Sequence, residues 1–188
     1  MNKMLILLEQ LHLENDVRQL KNANIDRVVV NADNSYVFYV SASHIVPLEE
    51  IRKLFSAKNE FPYPSDFVFD WMSSYTAEDV QDYAMFILNG LKGRFPQIDF
   101  INEGSLSFEE NTLKIEVLND IQLNQMQQLY KIFDKYFNKF GIQIGFDAYI
   151  DQNNETYQSI QEEMNALNEV KVDQKTFDQV DEVVIDRK

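Results

Sequence analysis

"SYVFYV" (residues 35–40) follows the turn-forming stretch Asn31-Ala32-Asp33-Asn34, and the β-branched run from Ile25 to Val30 lies on the other side of that turn. Two such runs separated by Asn and Asp have the composition of a β-hairpin. Successive strand side chains point to opposite faces, so Tyr36, Phe38 and Val40 share one face and Val37 and Tyr39 the other. Both sets are apolar or aromatic, so neither face of this strand looks built for water.

Working outward, Met4, Leu7, Leu8, Leu11, Val17 and Leu20 form an apolar stripe interrupted near Asn15, which predicts a helix and a helical turn over residues 3–20. Pro47 can open a helix at its first turn, and Leu48, Ile51, Leu54 and Phe55 follow at helical spacing until "FPYP" (61–64) breaks it. Phe67 to Trp71 reads as a third strand. Thr76-Ala77-Glu78-Asp79 then starts a helix with Thr76 as its cap, running to about Asn89.

A short apolar piece follows from Phe95 to Ile101, then a hairpin over Ser105–Leu118 turning at Glu109-Glu110-Asn111, and a helix from about Ile121 to Phe140 that Gly141 ends. Ile142–Ile150 is the next strand and Glu155–Val170 the last helix. The order helix, strand, strand, helix, strand thus occurs twice. Tyr36 to Leu113 and Asp70 to Asp147 are both offsets of 77, and Phe55 to Phe133 is 78, a weak repeat of shape. The expected fold is α+β: two small helix-strand-strand-helix-strand units, KH-like, each with a three-stranded sheet and helices. The first spans 1–74 and the second 75–170, with 171–188 a charged linker or tail towards a further domain.

Alternation is clean in the second unit, where Leu113, Ile115 and Val117 oppose Thr112, Lys114 and Glu116. In the first unit Tyr36, Phe38 and Val40, with Phe67, Phe69 and Trp71, can cover the local helices. Val37, Tyr39, Val68 and Met72 remain as a second apolar set. Leaving such side chains in water forfeits about 1.5–3 kcal/mol each relative to full burial. Either the second half of the chain covers them or another protein does, and these four are the candidate protein interface.

The formal charge of −14 disfavours direct nucleic-acid binding, which depends largely on Lys and Arg displacing counterions from phosphates. The lack of cysteine excludes disulfides and thiol chemistry and fits a reducing compartment, so a cytoplasmic protein is expected. Nothing approaches the length of a membrane span, and Met1–Glu9 has too short an apolar run for a signal segment. His12 and His44 show no metal-binding spacing and read as structural or surface residues. Glu49-Glu50, Glu109-Glu110 and Glu162-Glu163 read as solvated acids, and Asp70 and Asp147 as outward strand residues rather than an acid–base pair. No nucleotide or hydrolase signature is present, and no catalytic residue, metal or cofactor is assigned. Gly90-Leu91-Lys92-Gly93 followed by Arg94 matches the GxxG pattern with which KH modules clamp a nucleic-acid backbone. Helix termination explains it better, so a free-standing single-stranded nucleic-acid-binding module is the alternative reading, with Gly90, Lys92, Gly93 and Arg94 as its site.

"NTLKIEVLNDIQLNQMQQLYKIFDKYFNKFGIQIGFDAYID" (111–151) resembles the non-catalytic N-terminal region of PolC, the replicative DNA polymerase III alpha subunit of low-GC Gram-positive bacteria. The shared pattern is a basic residue among alternating apolar ones, an Asn-Asp-like turn, a long helix, and an entry into the final strand matched by Phe140-Gly141-Ile142. The likeness extends through "SYVFYVSASHIVPLEEIRKLF" (35–55), where other aromatics stand in place of the family's usual Trp, and through "LLEQLHLENDV" (7–17). The resemblance implies the front of a much larger polymerase, not itself an enzyme. It also implies a KH-like first unit and contacts with replisome proteins, the clamp-loader tau subunit among them.

Overall fold

The computed structural model describes residues 1–169. Its elements are α1 (Lys3–Gln10), β1 (Asn24–Val30), β2 (Tyr36–Ala42), α2 (Leu48–Ala57), β3 (Ser65–Trp71), α3 (Ala77–Lys92), β4 (Leu106–Glu109), β5 (Thr112–Val117), α4 (Asp120–Lys139) and β6 (Gly145–Ile150). A last helix, α5, covers 155–169. The protein is α+β, with two three-stranded sheets ordered β1-β2-β3 and β4-β5-β6. In each sheet the hairpin pair is antiparallel, and the strand reached through a crossover helix lies parallel to the central one. The expected 171–188 linker lies outside the described residues.

Local chemistry sets both hairpins. Asp33 Oδ1 accepts the Ser35 N–H at 3.0 Å and the Ser35 hydroxyl at 2.6 Å, folding the loop in front of β2. Between β4 and β5, Glu110 and Asn111 have φ of 49° and 59°, the left-handed pair that a two-residue hairpin turn needs. Thr76 and Asp79 form a reciprocal capping box at the start of α3, as the sequence predicts.

Several expectations change. The helix and helical turn read over 3–20 are parted by a loop: α1 stops at Gln10, His12 turns the chain with φ 56°, and one short helical turn follows at Leu20–Asn22. Leu11, Leu13, Val17 and Leu20 are still buried, because the turning chain folds them onto the same core. Glu50, read as half of a solvated pair, is buried. Its carboxylate accepts the Arg18 N–H and, at 3.0 Å, the Gln19 N–H, tying this loop to α2. Glu50→Ala leaves those two donors without their acceptor and is expected to destabilise by about 2 kcal/mol, read as a lower urea midpoint at unchanged slope.

The strand expected over Ile142–Ile150 begins only at Gly145, although Ile142 and Ile144 are buried ahead of it. The common offset of 77 also fails. Phe38 pairs with Phe67, 29 positions on, whereas Leu113 pairs with Phe146, 33 positions on, so one offset cannot superpose both strand pairs. Asp70 stands beside Ser41 and Asp147 beside Lys114, in rows that do not correspond.

The two halves share one buried core. Phe140, at the end of α4, inserts its ring among Phe55, Phe69, Tyr83 and Phe86, with centroids 5.4, 6.0, 6.2 and 5.7 Å away. Its carbonyl accepts the Trp71 indole N–H at 2.6 Å. Tyr75 adds a hydroxyl that donates to the Gln143 carbonyl and accepts the Gln143 N–H. The second half therefore meets the first sheet on the face that carries Phe67, Phe69 and Trp71, and along the β3 edge.

Candidate protein-docking face

Strand register places the side chains of the other face in rows. Val29, Val37 and Asp66 form one row across β1, β2 and β3, and Arg27, Tyr39 and Val68 form the next. A β-bulge falls between Ile25 and Arg27, so Asp26 is the extra residue of β1. Asp26 Oδ1 accepts the Ser41 hydroxyl at 2.9 Å, and Ser41 lies opposite Asp70 in β3. Met72 continues β3 beyond that row, its N–H bonded to the Ala42 carbonyl.

Val37, Tyr39 and Val68 are half-buried, and Met72 is 74% exposed. None of the four belongs to the core cluster or to the apolar groups packed against it. Arg27 covers part of Tyr39, its guanidinium lying 3.9 Å from the ring centroid. The structure brings the four expected residues onto one surface and adds Val29, Arg27 and Asp26. Those three follow from the β1 register, which a bulge shifts by one residue and which local sequence does not display.

This face is framed by carboxylates. Lys139, at the end of α4, forms an ion pair with Asp66. Asp26 and Asp70 are exposed on either side of the buried Ser41 and have no ion-pair partner among the described residues. No helix of the described residues is long and apolar enough to cross a membrane.

The other candidate positions behave differently. α3 continues past Asn89 to Lys92, so Gly90 is a helical residue, and Gly93 is the C-cap with ordinary right-handed dihedrals. A phosphate-clamping loop between two helices is therefore not formed at this GxxG. Lys92 donates to the Ile101 carbonyl at 2.7 Å, and Arg94, which is exposed, donates to the Tyr136 hydroxyl at 2.8 Å. His12 and His44 are exposed, and a ring nitrogen of His44 lies 2.9 Å from the Ser73 hydroxyl. Asp147 is exposed on β6, in the other sheet from Asp70. The Tyr83 phenol donates to the Val46 carbonyl, and burial, with Asp79 and Glu50 nearby, holds its pKa well above the ordinary value.

A cleft of about 210 Å³ lies between α2 and α3, lined by Arg52, Asp82, Met85 and Glu103 among others. Among the described residues no three His, Asp or Glu side chains are placed to hold a metal ion. Comparison with protein families, curated proteins and solved structures finds no match for this chain.

Proposed function

We propose that this chain is a non-catalytic protein-interaction region of a PolC-type replicative polymerase, and that a replisome protein docks on the face carrying Val29, Val37, Tyr39, Val68 and Met72. The observation that carries the docking reading is the position of those apolar side chains outside the core, while the second half packs on the opposite face of the same sheet. A sheet face of this composition is stable when something covers it, since each exposed Val or Tyr gives up burial energy. The polymerase context rests on the resemblance of residues 7–17, 35–55 and 111–151.

The test is a single substitution. Tyr39→Asp keeps the fold, because the ring lies outside the core, and removes the largest apolar group at the centre of the patch. Binding to purified replisome components, beginning with the clamp-loader tau subunit, is expected to weaken about tenfold or more, as for a central interface aromatic. The thermal midpoint should stay within a few degrees. Unchanged affinity with Tyr39→Asp counts against the docking face. An absence of binding to every replisome component by the unsubstituted chain counts against the polymerase context.

A further inference from the structure

We propose that the segment docking on this face is basic, placing an arginine or lysine between Asp26 and Asp70, above Ser41, with apolar residues against Val29, Val37 and Val68. This inference rests on the docking reading above and adds the chemistry of the partner. The face already handles cations from its own chain in two ways. Arg27 lays its guanidinium on the Tyr39 ring, and Lys139 brings its ammonium to Asp66. The carboxylates of Asp26 and Asp70 are left without a cation among the described residues.

Its geometry suits a long basic side chain. Asp70 stands opposite Ser41 on β3, and Asp26, the bulge residue of β1, accepts the Ser41 hydroxyl at 2.9 Å, so both carboxylates border the same serine. Between them Ser41 is 3% exposed, so the floor is small and closed while both walls are charged. A guanidinium or ammonium entering over Ser41 meets a carboxylate on each side, and its aliphatic stem lies along Tyr39 and Val68. The chain's net charge of −14 steers a basic segment towards the surface.

Other occupants fit less well. A second copy would bring three carboxylates and a single arginine, Arg27, against the same set, and a nucleic-acid backbone would bring phosphates against the carboxylates.

The experiment uses the isotopically labelled full chain and an 18-residue synthetic helical peptide with leucines at heptad spacing flanked by arginines. Its analogue carries neutral citrulline at every arginine. Amide chemical shifts locate binding and calorimetry measures it. The expected result is that the arginine peptide shifts residues 26–29, 37–41 and 66–72, and that the citrulline peptide binds at least tenfold more weakly. Asp26→Asn/Asp70→Asn should lose a similar factor and most of the salt dependence. Asp70→Asn alone, which removes no hydrogen bond found in the fold, should lose part of it and guards against disturbance of the β1 bulge.

Equal binding of both peptides on this face, weakened by Val68→Ser, overturns the basic partner and leaves the docking face standing. Binding of the arginine peptide that ignores both Asp substitutions is general attraction to an acidic chain and overturns the proposal. Neither peptide shifting the face overturns the basic partner, while the docking reading is decided separately by Tyr39→Asp and the replisome components. A dimer in solution that disperses with Val68→Ser assigns the face to a second copy and likewise overturns the basic partner.

Discussion

Phe140→Ala is expected to destabilise the protein by about 3–5 kcal/mol and to loosen the joint between its halves. The ring sits at the end of α4 in the second half, and it packs against Phe55 of α2 and Phe69 of β3 in the first half as well as Tyr83 and Phe86 of α3. Removing it leaves a cavity walled by four aromatic residues held on two helices and a strand, and such walls collapse poorly. At roughly 2–4 °C per kcal/mol for a chain of this size, the midpoint should fall by about 6–20 °C. The readout is local as well as global. Trp71 is the only tryptophan, and its indole N–H donates to the Phe140 carbonyl, so indole emission reports this joint directly. If Trp71 emission shifts at a lower temperature than the far-ultraviolet signal, the joint opens before the sheets melt. Phe140→Leu, which refills much of the space, should recover more than half of the loss. A Phe140→Ala protein that melts like the parent would mean that the two halves do not depend on this ring for their packing.

That joint also shows how far the sequence could be read. The alternation of Leu113, Ile115 and Val117 with Thr112, Lys114 and Glu116 is a local period of two, and the strand it predicts is present with those three residues buried. The apolar surplus of Val37, Tyr39, Val68 and Met72 was equally legible, because it needs only the alternation of two strands. What covers a face is a long-range matter. The chain returns to the first sheet through Phe140, one ring at the end of a helix, and no periodicity announces which side of the sheet it meets. The stretch from Leu11 to Leu20 misled for a related reason. Its apolar spacing suits a helix, but the backbone donors of Arg18 and Gln19 are taken by Glu50, more than thirty residues away, and the chain turns to meet it. A carboxylate that caps a distant loop looks, in sequence, like any solvated acid. The same limit hid Asp26 and Arg27, since a one-residue bulge re-aims every side chain beyond it.

Gly141→Ala should be the second most damaging change, at about 3 kcal/mol, through two costs that add at one atom. Gly141 has φ 71°, a conformation in which a Cβ meets its own backbone, so alanine is strained there whatever the surroundings. The surroundings are also full. A Cβ at this position would lie 2.7 Å from Trp71 Cδ1, 2.8 Å from Trp71 Nε1 and 2.9 Å from the Phe69 carbonyl oxygen. The indole could shift, but doing so lengthens its bond to the Phe140 carbonyl, and the Phe69 oxygen is part of β3 and cannot give way without moving the strand. The two costs separate in a double-mutant cycle. Trp71→Val, which has no atom beyond Cγ, removes the indole Cδ1 and Nε1 that crowd the site, so Gly141→Ala should be milder by about 1 kcal/mol in that background, while the backbone strain and the Phe69 contact persist. If Gly141→Ala is equally damaging with and without the indole, dihedral strain and the strand contact carry the whole effect. If it is harmless in both, the turn that docks α4 on the first sheet tolerates another conformation, and the joint at Phe140 is softer than its packing implies.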